Sequence, residues 1–232
     1  MSEWTETYAN RIEQGTHIQG NKLEFKVPNG FDLFYLHDAQ NPTKFNEPEL
    51  DLKDSTKHSE VYDGRFTSVV YFTFSNGCMW LVTNPIHVQA GRTFRGIAWA
   101  MFVRLGTGVG ARLGICDGDG QFGGSFARHP DDRGLMSDSM VWGPWVSSYD
   151  GAEDRIWYPL TTPDTIPLNG HIRLVLEFAS NVAGHAAGHF DSFLVEQLVG
   201  SGDGSADVDY ALFRQIVREE LDKTRWESAP SF

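Results

Sequence analysis

Basic side chains are scarce in this sequence. Nineteen Lys and Arg stand against 31 Asp and Glu in 232 residues, a formal charge of −12. Phosphate neutralisation needs clustered Lys and Arg, so this balance argues against general nucleic-acid binding and fits a soluble, cation-tolerant surface. Cysteine is scarcer still. Cys78 and Cys116 fall in different predicted strands. Either they pair or they stay reduced, and the simpler reading is two small buried apolar residues. No stretch approaches the ~20 apolar residues of a membrane helix, which leaves no candidate for membrane insertion. The start, Met1-Ser2-Glu3-Trp4-Thr5-Glu6, is polar and acidic. It lacks the basic and apolar regions of a secretory signal, so the expectation is a chain made in the cytoplasm without a signal peptide.

Catalytic signatures are missing as well. There is no nucleophile elbow, zinc-hydrolase helix motif or phosphate loop. His185 and His189 are four apart but flank Ala and Gly in a turn, not on a helix face. Glu153, Asp154 and Glu177 are the carboxylates on offer for a glycosidase pair, and surface carboxylates are common at this charge. The expectation is a non-enzyme.

What the sequence does have is aromatic and apolar content, 13% and 41%, enough for a substantial core. The stretch Met140 to Phe193 sets the pattern. Short runs rich in aromatic and β-branched residues alternate with Gly, Pro, Asn and Asp, as in Val141-Trp142-Gly143-Pro144-Trp145-Val146 and His171-Ile172-Arg173-Leu174-Val175. That is an antiparallel β signature. Upstream, strands are expected at Leu23–Val27, Phe31–Leu36, Glu49–Lys53, Arg65–Phe74, Met79–His87, Thr93–Arg104 and Ala111–Cys116. Ser75-Asn76-Gly77 predicts a hairpin joining two of them. Asp117 to Ser139 reads as a long Gly- and Asp-rich loop.

The ends read differently. Residues 2–13 predict a short helix, with Ser2 as N-cap and Trp4, Tyr8 and Ile12 on one face. Residues 200–207 have linker composition. Beyond them, Leu212, Phe213, Ile216, Val217 and Leu221 fall at helical spacing over 208–232 and form one apolar stripe. That stripe needs a partner surface, on this domain, on another copy or in a larger assembly. The expected organisation is an N-terminal extension over 1–28, a β domain over 29–199, a linker over 200–207 and a C-terminal amphipathic helix. About ten short strands read as an all-β sandwich or jelly roll.

The order of motifs over roughly 29–199 resembles carbohydrate-binding-module-like jelly rolls, the galactose-binding-domain-like family. Asn29-Gly30-Phe31-Asp32 looks like its entry motif, with Asp in place of the more usual Glu. Tyr62-Asp63-Gly64-Arg65-Phe66 resembles the approach to the first long core strand. Val88-Gln89-Ala90-Gly91-Arg92-Thr93-Phe94 resembles its corner, and Arg112-Leu113-Gly114-Ile115-Cys116-Asp117 and Gly188-His189-Phe190-Asp191-Ser192-Phe193 resemble later strands. The resemblance implies a structural Ca²⁺ held by Asp32 and Asp191, with backbone near Asp63 and Gly64; oxygen ligands suit a hard cation.

The resemblance also implies sugar recognition by aromatic platforms. Trp142, Trp145, Trp157 and Tyr158 are the leading candidates, with Trp80 further back and Trp99 expected in the core. Residues three apart on a regular strand face opposite ways, so Trp142 and Trp145 are expected on opposite faces. The expected function is a non-catalytic structural or adhesion protein of a larger assembly, such as a phage virion decoration or tail component. A glycan-binding module of a polysaccharide-targeting system is the alternative, and a small carbohydrate-active enzyme the third reading. The partners that follow are further copies, other subunits of a particle, or a cell-surface glycan. Such a particle, released by lysis, requires no signal peptide.

Overall fold

In chain order the strands are β1 (Glu3–Asn10), β2 (Gly15–Gln19), β3 (Glu24–Pro28), β4 (Phe31–Tyr35), β5 (Glu49–Asp54), β6 (Phe66–Phe72), β7 (Gly77–Thr83) and β8 (Ile86–His87). They continue with β9 (Phe94–Phe102), β10 (Val109–Asp117), β11 (Val141–Trp142), β12 (Val146–Ser147), β13 (Trp157–Thr161), β14 (His171–Ser180) and β15 (Ala186–Val199). This computed structural model describes residues 3–19, 24–35, 49–54, 62–63, 66–72, 77–103, 109–117, 140–180 and 186–199. Of the loop expected over Asp117 to Ser139, Asp117 is the last residue of β10; the rest of it, the linker and the C-terminal helix with Leu212, Phe213, Ile216, Val217 and Leu221 lie outside the described residues.

The strands form two antiparallel sheets and a separate β2–β3 hairpin. The six-stranded sheet runs β13-β9-β15-β6-β5, with β1 also pairing β15, and the seven-stranded sheet runs β11-β10-β14-β7-β4, with β12 on β10 and β8 on β14. From β6 onward the chain passes back and forth between the sheets, so consecutive strands are seldom neighbours. The expected β6–β7 hairpin is therefore corrected. β6 pairs with β15 and β5, and β7 pairs with β14 and β4. Both edges of each strand are taken by long-range partners, and that outweighs the local turn signal.

The core lies between the sheets. Phe178 of β14 meets Phe190 of β15 edge-on at 5.2 Å, and Phe31 of β4 meets Phe193 at 4.6 Å. Leu81, Leu113, Leu174 and Leu176 from one side and Phe94, Ala98, Phe102 and Leu160 from the other complete it. Strict alternation along β9, from buried Phe94 to half-exposed Arg95 and on to Trp99, fixes which face looks inward.

The expected N-terminal helix is a strand. Trp4 and Tyr8 are four apart, and that spacing also puts two side chains on one face of a strand, where the period is two. Thr5 and Thr7 are β-branched and favour the extended form. The Thr7 hydroxyl donates to the Val195 carbonyl of β15 at 3.1 Å, which anchors β1 as an added strand. Trp4 sits over the Arg95 guanidinium at 4.1 Å.

The cysteines do not pair. Cys78 lies opposite Ala179 and Cys116 opposite Arg173 on the same strand, β14. Six residues of strand are about 20 Å at ~3.3 Å per residue, far beyond the ~7 Å Cα separation a disulfide tolerates. Both are free and buried.

Candidate functional site

β10 carries Gly110, Arg112 and Gly114 on the face of the seven-stranded sheet turned away from the core; the intervening Ala111, Leu113 and Ile115 belong to the core. The two glycines leave room for aromatic rings. A Cβ on Gly114 would stand 2.7 Å from Trp142 Cε3, and one on Gly110 would stand 3.3 Å from Trp145 Cε3. Arg112 lies between them, its guanidinium 4.2 Å from the Trp142 ring centroid and 4.6 Å from that of Trp145. Stacking of this kind on a flat cation adds about 1 kcal/mol per ring.

Both tryptophans therefore stand on the same side, which corrects the expectation of opposite faces. The premise of a regular strand fails. β11 and β12 are two-residue strands separated by Gly143-Pro144-Trp145. Gly143 donates its N–H to Leu113 O at 2.8 Å, and a Cβ there would collide with the Thr161 carbonyl. Pro144 adds no donor. The break resets the alternation, so both indoles flank one arginine.

Arg112 is held from the neighbouring strand, β14, where Glu177 is its cross-strand partner. Its Nε donates to Glu177 Oε2 at 2.6 Å, and the Glu177 side chain is only 4% exposed. The Cys78 thiol lies 3.6 Å from the other Glu177 oxygen, and burial, with the nearby carboxylate second, pushes that thiol well above its ordinary range. Cys78 is thus an inert neutral neighbour. Trp80, Val82, Cys116 and Val175 form a buried cluster on the same face, with Trp142 packed on it. Trp80 is 6% exposed and is a floor, not a platform. Trp145 is 38% exposed and offers ring surface to solvent. Glu177, tied to Arg112, is not available as half of a glycosidase pair, whereas Glu153 and Asp154 are exposed.

The other two expected platform residues lie elsewhere. Trp157 is on the outer face of the six-stranded sheet, 5.4 Å from Tyr62, which stacks on Trp99 at 4.3 Å. Trp99 thus faces outward under Tyr62 and not into the core. Tyr158 alternates inward, packs on the core, and its hydroxyl accepts the Glu153 N–H at 2.8 Å.

The expected calcium ligands do not converge. Phe31 points into the core, so Asp32 points out from the seven-stranded sheet, where it is exposed and 3.9 Å from Arg173 Nη1. Asp191 lies in the opposite sheet, buried at a bulge where Ser192 takes a φ of 49°. Its Oδ2 accepts the N–H groups of Tyr62 and Asp63 at 3.1 and 3.3 Å, and its Oδ1 that of Ser192 at 2.7 Å. The Asp191 carboxylate is already engaged by three N–H donors and Asp32 lies exposed on the other sheet, so the two do not fit one shared cation site. Burial pushes the Asp191 carboxyl up to about 7 despite those three bonds, with the Asp63 charge adding to the rise.

Sequence reasoning named the two tryptophans but missed Arg112, Gly110 and Gly114. The signal was the Gly-x-Arg-x-Gly alternation on a strand, where glycine is otherwise unfavourable.

No protein-family model and no curated protein sequence matches the chain. Among solved structures, it is similar to TmCBM61, determined in complex with β-1,4-galactotriose, at 13% identity and a TM-score of 0.46, over 72% of this chain and 88% of that one. It is similar to the CBM22-1–CBM22-2 tandem domain of Paenibacillus barcinonensis Xyn10C at 13% identity and a TM-score of 0.47, covering 87% of this chain and 47% of that one. A third is the enzymatically active domain of bacteriophage CBA120 tailspike protein 4, at 15% identity and a TM-score of 0.40, covering 72% of this chain and 19% of that one. The chain thus spans less than half the length of the last two. At these scores the assignment of an all-β sandwich rests on the two sheets themselves.

Proposed function

We propose that this chain is a non-catalytic glycan-binding protein that serves adhesion within a larger assembly, with a sugar ring lying on Trp145 beside Trp142 and Arg112. The observation that supports it is the Trp142–Arg112–Trp145 stack, with one indole 38% exposed. A sugar's C–H face packs on an indole, and a guanidinium edge donates to hydroxyls. The stack supplies both, and the Arg112–Glu177 pair holds the geometry before ligand arrives. A glycan array followed by calorimetry on wild type, Trp145→Ala and Trp142→Ala tests it. Binding by wild type and at least tenfold weaker binding by Trp145→Ala are expected. Failure of the wild type to bind any glycan sinks the proposal.

The assembly half of the proposal draws on the sequence. In the sequence, Leu212, Phe213, Ile216, Val217 and Leu221 recur at helical spacing, and an apolar stripe so formed would be covered in a virion decoration or tail component. Light scattering on the full chain and on a version ending before 208 is the test. A monomer in both cases removes this half and leaves the glycan half standing.

A further inference from the structure

His87 and His171 face each other across the β8–β14 pairing, with ring centroids 4.3 Å apart. Their neighbours Ile86 and Ile172 are buried in the core, so both imidazoles stand on the outer face of the seven-stranded sheet. The frame around them is tied down. Ile86 pairs with Ile172, and Val88 donates its N–H to Gly170 O at 3.0 Å. The His171 Nδ1 lies 3.1 Å from the Asn169 carbonyl oxygen. A carbonyl only accepts, so Nδ1 carries the proton and the neutral ring keeps its lone pair on Nε2. That is the arrangement in which a metal-binding histidine is oriented by a second partner. Arg173, the next outward residue of β14, lies 3.9 Å from Asp32.

We propose that His87 and His171 form a two-imidazole site for a borderline divalent transition metal, Cu²⁺, Ni²⁺ or Zn²⁺, with water completing the coordination. Two nitrogen donors select these ions over Ca²⁺ and Mg²⁺, which prefer oxygen. The site is separate from the Trp145 platform and does not depend on it.

Calorimetric titration of the full chain with Zn²⁺, Ni²⁺ and Cu²⁺ tests the proposal. One saturable site is expected, tightest for Cu²⁺. His87→Ala and His171→Ala are each expected to weaken it at least tenfold. His17→Ala, which removes an exposed histidine paired with Glu24, leaves it unchanged. Because a variant can lose its fold, Cu²⁺ broadening of the His87 and His171 imidazole signals in wild type is the second readout. The proposal is overturned if wild type shows no saturable binding, if the variant carrying both His87→Ala and His171→Ala still binds, or if the broadening falls on other histidines.

Discussion

Gly114 and Trp142 are cross-strand partners, and the absence of a side chain on the first leaves room for the ring of the second. The indole lies over the glycine and against the Arg112 guanidinium, so a backbone choice on β10 decides where an aromatic on β11 goes. Adding one methyl tests this. In Gly114→Ala the new Cβ would stand 2.7 Å from Trp142 Cε3, closer than such atoms come. Trp142 must move off Arg112. Overpacking of this kind costs ~1–3 kcal/mol. The expected result is a lower urea midpoint together with weakened glycan binding, and full retention of both would contradict the stacked geometry.

The Asp191 carboxyl predicts a pH dependence opposite in sign to that of most acidic groups. Its folded value, about 7, lies above the ordinary 3.8. The folded state therefore binds more protons than the unfolded one between those values. Its contribution to stability is fully present below about 4 and is lost as pH rises toward about 7. The whole effect is on the order of a few kcal/mol. Other carboxylates slope the opposite way, so the readout is the difference between wild type and Asp191→Asn in urea unfolding from pH 4 to 8. That difference should change steadily with pH; parallel curves would show that Asp191 titrates normally.

Much of the fold was legible because the β signal here is local. Strand runs such as Phe94–Phe102 and His171–Ser180 alternate or run apolar, and a period of two leaves few alternatives. What failed was whatever a single segment leaves ambiguous. Trp4 and Tyr8 fit both periods, and only pairing with β15 resolves them. Asn76-Gly77 announces a turn, but whether the next strand returns beside the last depends on partners a hundred residues away. The site was half legible. Trp142 and Trp145 stood out by type, but their shared side came from Gly143 pressed against Thr161, a contact between segments that no spacing rule contains. The calcium expectation joined Asp32 and Asp191 by motif, and the sandwich places them on opposite outer faces.

The register also predicts the thiol chemistry. Cys78 on β7 and Cys116 on β10 face β14 residues six positions apart, Ala179 and Arg173, so no disulfide forms in the folded state. Denaturation with a thiol reagent present should label two cysteines by mass, while the folded chain should label none, because both are fully buried. Reductant should leave the melting temperature unchanged. A monomer whose denatured form shows no free thiols until reductant is added would break the assigned register.

The last prediction separates what Glu177 contributes to stability from what it contributes to the site. Its carboxylate is buried and joined to Arg112 at 2.6 Å, with the Cys78 thiol on the other oxygen. Removing one member of a buried pair strands the other charge, which costs ~3–5 kcal/mol. Glu177→Leu should therefore be strongly destabilised in urea. The same reasoning says that the pair is no great source of net stability, since desolvating two charges offsets most of their attraction. The double variant Arg112→Met with Glu177→Leu should thus recover most of the loss, because two apolar side chains suit the neighbours Trp80, Val175 and Trp142. Stability returns in that variant, but the cation between the two indoles does not, so glycan binding should stay weak. A double variant that binds as wild type would show that the tryptophans alone make the platform and that Arg112 serves only to fill space between them.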